Sequence, residues 1–219
     1  MRGGAGNSDA STTAREEVEL TDTDPDLLVE ETGRFKILAA IDLRIPTLEG
    51  ERIRLEPLAP GHSHGMFALW SEATVCEYAG PSRDSTGRSI DLPARSPSES
   101  DRLLHYWIER AEAGTGFRWA VILNNNPEFA GAIGFNALGP CSEYAYHFVP
   151  RFWGAGLATE ASRLALSWCS GENAGLVEMF IEPGNARSIR LAERLGFELQ
   201  TRPEDELRRY VLSPRQIDA

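Results

Sequence analysis

Apolar and polar side chains alternate along this chain in two rhythms, one of period two and one near period 3.6, and the switches between them mark the elements. Arg52-Ile53-Arg54-Leu55 alternates as a half-buried strand does, with Pro57 and Pro60 at its end. Residues 61–72 carry Met66, Phe67, Leu69 and Trp70 at helical spacing. A second helix is predicted after an N-cap at Ser100, with Leu103, Leu104, Trp107, Ile108 and Ala111 as its stripe and Gly114 as its stop. Three strands follow at 117–123, 129–138 and 142–149, and the short turns between them imply an antiparallel meander. Residues 157–170 place Leu157, Ala161, Leu164, Ala165 and Trp168 on one helical face, 176–182 alternates as a strand, 185–195 is helical, and 197–201 and 207–212 close as strands. This order predicts an α/β fold in which a mixed sheet is flanked by helices.

Two segments lack either rhythm. Residues 1–26 hold almost no large apolar side chain, so they bury too little surface to offset chain entropy and are expected to form a disordered tail. The apolar stretch Phe35 to Ile41 fits helix or strand equally, which gives an extension over 1–44 and a compact domain over 45–219. Residues 81–100 form a long loop of Pro, Ser, Arg and Asp, expected to be mobile or a lid.

The formal charge of −11 is concentrated at the start, where nine acidic residues face three arginines up to Arg34. Such a balance argues against a nucleic-acid partner, which requires clustered cations. The single lysine, Lys36, precedes the domain and excludes a Walker-type phosphate loop within it. No apolar run approaches a membrane span, and the N-terminus lacks a basic and apolar leader, so a cytoplasmic protein without a membrane partner is expected. Cys76, Cys141 and Cys169 are odd in number and without a CxxC pair, which points to idle thiols and to no metal site.

The densest chemical signal is Val149-Pro150-Arg151-Phe152-Trp153-Gly154-Ala155-Gly156-Leu157-Ala158-Thr159-Glu160-Ala161. A strand ends, two glycines form the turn, and a helix begins at once, so free backbone N–H groups and the positive end of the helix dipole meet there. A diphosphate suits that geometry, although a plain strand-to-helix turn has the same pattern and the third glycine of a dinucleotide fingerprint is absent. Further on, Glu182-Pro183-Gly184-Asn185-Ala186-Arg187-Ser188 ends a second strand and opens a second helix. Asn185 fits an N-cap there, and Ser188 fits either a solvated helix position or a functional hydroxyl.

Together these residues resemble the GNAT acyltransferase superfamily, in the branch of ribosomal-protein N-terminal acetyltransferases and their small-molecule relatives. The resemblance runs from about Ile45 to Leu212. It begins with Pro46 to Leu55, which looks like the branch's opening strand. Its strongest part is the (Gln/Arg)-x-x-Gly-x-(Gly/Ala) acyl-CoA loop, matched by Arg151, Gly154 and Gly156, with Trp153 before the first glycine and Thr159-Glu160-Ala161 in the helix. Asn185-x-x-Ser188 and Leu195-Gly196-Phe197 form the second part.

The resemblance implies a GNAT fold with a splayed central pair of parallel strands, acetyl-CoA as cosubstrate, and an amine acceptor as the other partner. It leaves homodimer formation open. The diphosphate would rest on the amides of Gly154, Ala155, Gly156, Leu157 and Ala158, beside Arg151, Trp153 and Thr159. The pantetheine arm would pair with Phe148 and Val149, opposite the strand ending at Glu182, and Asn185 and Ser188 would also bind the cofactor.

Many members of the superfamily place a tyrosine general acid three residues before the Leu-Gly-Phe end of the last helix, where this chain has Ala192. Ser188 is then the best substitute. For the base, Glu143 and His147 share one face of their strand, Tyr144, Tyr146 and Phe148 take the other, and Glu182 lies at the mouth; each also reads as a surface residue. Glu143 joins Ser188 as the catalytic pair. The expected reaction is direct attack of the amine on the thioester in a ternary complex, the competing reading being a non-catalytic acyl-CoA-binding sensor or interaction module of the same fold.

Overall fold

The computed structural model describes residues 44–172, 175–201 and 205–213. The acidic extension 1–44 lies outside the described residues except for Arg44. The chain enters with β1 (Leu48–Glu49) and β2 (Ile53–Pro57), then the helices α1 (Ser63–Trp70) and α2 (Ala73–Cys76). A small hairpin, β3 (Ser82–Arg83) and β4 (Ser89–Ile90), leads to α3 (Pro97–Glu112). The meander is β5 (Phe117–Leu123), β6 (Phe129–Ala137) and β7 (Cys141–Phe148). It is followed by α4 (Leu157–Glu172), β8 (Leu176–Ile181), α5 (Ala186–Arg194), β9 (Glu198–Leu199) and β10 (Arg208–Leu212).

The main sheet runs β1-β2-β5-β6-β7-β8-β10-β9 among the described residues. Its pairs are antiparallel except β7 with β8, because α4 carries the chain back to the same end before β8 begins. Alternation sends Phe117, Trp119, Phe135, Tyr144 and Phe148 to one face, where Leu157, Ala161 and Ala165 of α4 close over them. Trp168 stands edge-on to Phe117 and Trp119 at centroid distances of 5.4 and 5.3 Å. The opposite face carries Ala132 and Val149 and is covered by Met66, Leu69 and Trp70 of α1 with Leu103 and Leu104 of α3. The mixed α/β sheet predicted from the pattern is therefore present.

Two local expectations are corrected. The N-cap of α3 is Ser96, whose side chain accepts from the Glu99 N–H, while Pro97 takes the first helical position. Ser100 is buried inside the helix and donates to Pro97 O. The stretch 81–100 is also no open loop. Asp84 accepts from the Thr86 N–H, the Thr86 hydroxyl and the Arg88 N–H, and its second oxygen takes two bonds from Arg102 of α3. An Asx turn closes the hairpin in this way, with Gly87 at φ +80°, and an ion pair fastens it to the helix.

One buried contact fixes how α4 sits on β7. The Tyr144 hydroxyl donates to Ser162 Oγ at 2.8 Å, and Ser162 donates to Ala158 O one turn back. Ser162→Ala leaves a buried phenol without an acceptor and is expected to cost about 1–3 kcal/mol in urea unfolding. Combining it with Tyr144→Phe removes both polar groups and is expected to return most of that loss.

Candidate active site

The site begins where the parallel pair comes apart. β7 and β8 are in register at Cys141 with Leu176, Ser142 with Val177 and Glu143 with Glu178, and no further. Beyond that point β7 keeps only β6, through Ala145, Tyr146, His147 and Phe148, and β8 keeps only β10, through Met179, Phe180 and Ile181. The Val149 N–H turns to Ala130 O on the β6 side. Amide directions alternate along a strand, so the peptide groups of Tyr146 and the N–H of Phe148 face the gap. Val149, expected beside Phe148 as a pairing edge, therefore spends its N–H on the neighbouring strand.

At the mouth of the gap the chain turns through Pro150–Phe152 and reaches Gly154 and Gly156 with φ of +76° and +78°. A Cβ at Gly154 would meet nothing, and one at Gly156 only Arg52 Nη2 at 3.5 Å, so backbone conformation rather than crowding selects glycine here. α4 opens with the bond from the Glu160 N–H to Gly156 O. The N–H groups of Leu157, Ala158 and Thr159 ahead of it lack intrahelical acceptors, which leaves a concave patch of donors at a positive helix end.

Side chains brace this loop. The Trp153 indole donates to Phe148 O at 2.7 Å, and the Arg187 guanidinium lies 4.4 Å from the centre of the Trp153 ring. Arg151 is exposed, paired with Glu128 and laid over the Phe152 ring. The Thr159 hydroxyl accepts from Arg194 of α5 at 3.4 Å. Asn185 caps α5, its Oδ1 accepting from the Ser188 N–H at 3.1 Å, and so retains its amide donors for other use.

Ser188 meets a residue absent from the expected site. The Tyr146 hydroxyl, reaching across from β7, donates to Ser188 Oγ at 2.9 Å. Burial pushes the Tyr146 phenol up to about 12, against the opposing pull of Ser188, so it remains a donor at neutral pH. Ala192, at the position of the missing helix tyrosine, is fully buried under α5. The sequence held a signal for Tyr146, since it shares a strand face with Tyr144 and Phe148, but its partner lies 42 residues away.

Glu143 and Ser188 lie on different sides of β7. Glu143 stands at the last joined position of β7 and β8, on the sheet face opposite Tyr146. Its carboxylate accepts from Asn136, whose carbonyl oxygen in turn accepts from the buried Arg118. Arg118 lies 3.9 Å from the centre of the Trp107 ring. The residue of that face beside Tyr146 is His147, four positions or about 13 Å further along the strand. Its ring packs on Trp70 at 4.6 Å, and burial, then the charge of Arg118, pulls it down to about 3.

A splayed strand pair with a donor-lined glycine loop at its mouth is the arrangement that the resemblance to acyl-CoA transferases implies. The acetyltransferase (GNAT) domain profile matches residues 52–198, and the chain belongs to that family, whose members are acetyl-CoA-dependent acetyltransferases. The chain is 25% identical over 171 residues to the uncharacterized N-acetyltransferase YoaA of Bacillus subtilis, covering 76% of this chain and 88% of YoaA. It is 35% identical over 96 residues to the uncharacterized protein YkkB of the same organism, which spans 41% of this chain and only 56% of YkkB. RimL, a ribosomal L7/L12 alpha-N-protein acetyltransferase solved with coenzyme A, shares the fold with a TM-score of 0.63 at 16% identity, over 77% of this chain and 98% of RimL. Among the described residues no helix is long and apolar enough to cross a membrane.

Two outcomes are expected. Gly156→Glu places bulk and negative charge on the donor patch, and calorimetry is expected to show acetyl-CoA binding weakened at least about 100-fold in a variant that still folds. The second concerns His147, neutral when folded but protonated near pH 6.5 when unfolded. Between roughly pH 6.5 and 3 the unfolded chain binds the additional proton, so stability falls as pH falls through that window. His147→Gln is expected to flatten the decline in urea midpoint between pH 7 and pH 5.

Proposed function

We propose that this chain transfers an acetyl group from acetyl-CoA to a primary amine, a protein N-terminus or a small molecule, by direct attack within a ternary complex. The observation that carries the reading is the unpaired edge of Tyr146 and Phe148, continuous with the glycine loop. The Gly154-to-Thr159 amides suit a diphosphate, with Trp153, Arg151 and Asn185 around it. The gap suits an extended amide-bearing arm, which pairs with a strand edge as an added strand does. The Phe148 N–H, facing the gap, is the donor available to the developing oxyanion.

In the reaction the amine nitrogen bonds to the thioester carbon and the carbon–sulfur bond breaks. The proton lost by nitrogen balances the one gained by sulfur. Ser188 is the donor to the departing sulfur, and Tyr146, by filling an acceptor position on Ser188 Oγ, leaves the serine proton directed elsewhere. A phenol thus reaches this site from β7 instead of from the last helix. A cytoplasmic location and a homodimer are compatible with this reading.

Steady-state kinetics with acetyl-CoA and a panel of amines tests it. Ser188→Ala is expected to lower kcat roughly 10- to 100-fold with a smaller change in acetyl-CoA affinity. Tyr146→Phe is expected to act in the same direction, and the double variant to be no slower than Ser188→Ala alone. Tight acetyl-CoA binding without turnover on any amine would favour the non-catalytic binding module.

A further inference from the structure

The turn between β1 and β2 lies across the first turns of α4. A Cβ on Gly50 would stand 2.8 Å from Ile53 O of the same turn, 2.9 Å from Leu164 Cδ1 and 3.0 Å from Glu160 Oε1, so the turn's own backbone selects glycine while its outer side rests on side chains of α4. From that turn Arg52 sends two donors to the first turn of α4 and one to the glycine loop. Its backbone N–H reaches Glu160 Oε1 at 2.8 Å, its Nε reaches Glu160 Oε2 at 2.7 Å, and its Nη1 reaches Ala155 O at 2.8 Å. Its Nη2 is the atom nearest to the open side of Gly156.

Glu160 poses an electrostatic problem. A carboxylate in the first turn favours the helix dipole but repels any second anion bound at the same end. Here the carboxylate is largely covered, with a side-chain exposure of 17%, and is chelated by Arg52. Burial pushes its carboxyl up, yet the bonds and charge of Arg52 outweigh this and hold it below the usual carboxylate range. The bond to Ala155 O has a further consequence. In a trans peptide C=O and N–H point in opposite directions, so fixing the Ala155 carbonyl on the guanidinium turns the Gly156 N–H away from it.

We propose that Arg52 is a positioning residue of the acyl-CoA diphosphate site: it cancels the charge of Glu160 and holds the Ala155–Gly156 peptide with its N–H outward. This rests on the reading that the glycine loop takes acetyl-CoA. Arg52→Ala and Glu160→Gln break the same ion pair, so a purely structural bridge predicts that both weaken binding alike. The electrostatic role predicts opposite results.

Calorimetric titration of acetyl-CoA into the full-length chain and the two variants decides between them, with thermal melts to show that each is folded. Arg52→Ala is expected to weaken binding roughly 10- to 30-fold, and Glu160→Gln to leave it unchanged or tighten it a few-fold. Arg52→Lys, which keeps the charge with fewer directed donors, is expected to fall between Arg52→Ala and the parent chain, and it serves in place of Arg52→Ala should the latter not fold. Equal weakening by Arg52→Ala and Glu160→Gln, or no change in either, overturns the proposal while acetyl-CoA binding by the parent chain stands. A parent chain that binds no acetyl-CoA overturns the reading of the loop and this inference together.

Discussion

The architecture of the site depends on one interruption of backbone pairing. After Glu143 and Glu178 the two parallel strands separate, and peptide groups that a continuous sheet would satisfy are left facing a gap. Unsatisfied backbone groups are costly when covered, so such a gap persists only where the strands are held from their outer sides. β6 holds β7 through Phe148, and β10 holds β8 through Ile181, which prevents either strand from moving across. Tyr146 and Ser188 then bridge from β7 to α5, and Trp153 with Arg187 joins the glycine loop to the same helix. An edge that elsewhere invites aggregation is here confined within the sheet.

What was legible in the sequence was what is local. The helix starts at Leu157 and Asn185 were readable because glycine conformation and capping act within a few residues, and the meander was readable because its turns are short. The same local logic places the helix start at Ser96, where Ser-Pro-x-Glu is a stronger signal than Ser100, and an Asx turn at Asp84-Ser85-Thr86-Gly87 inside the polar stretch. The branch-level resemblance supplied what periodicity lacks, namely that β7 and β8 diverge. Contacts between distant residues remained hidden. Arg52 and Glu160 are 108 residues apart, Tyr146 and Ser188 are 42 apart, and neither pair leaves a trace in local pattern. The chemistry and strand face of Glu143 are legible in the sequence, whereas its position along the strand relative to the gap is not.

Charge illustrates why a whole-chain figure says little about a site. At −11 the chain has no overall attraction for an anion, yet the loop proposed for a diphosphate presents backbone donors, a helix N-terminus and the guanidinium of Arg52. At distances of a few ångströms these local groups outweigh exposed carboxylates beyond a Debye length, which salt screens. Buried charge on the other face follows a different rule. Arg118 is nearly inaccessible; burial pulls its guanidinium below the usual arginine value, and Glu143 draws it back. Asn136 mediates between the two, so Glu143 serves as counter-charge to a buried cation.

The hydroxyl pair also sets a limit on the chemistry it supports. A thiol ordinarily ionises near pH 8.5, whereas burial holds the Tyr146 phenol at about 12 and an alcohol such as Ser188 is weaker still as an acid. Full proton transfer from this pair to a free thiolate is therefore uphill, by about 5 kcal/mol for the phenol. Under the proposed mechanism the pair would therefore serve as a hydrogen-bond donor to sulfur while charge develops, with water supplying the proton that finally remains. A strand-borne phenol suits that task. Its strand is held on β6 through its neighbours Ala145 and His147, its ionisation is suppressed, and its hydroxyl fixes Ser188. With Ala192 in place of a helix tyrosine, the proposed mechanism would keep a polar donor through Tyr146 and Ser188 and would draw its rate enhancement from preorganisation more than from proton exchange.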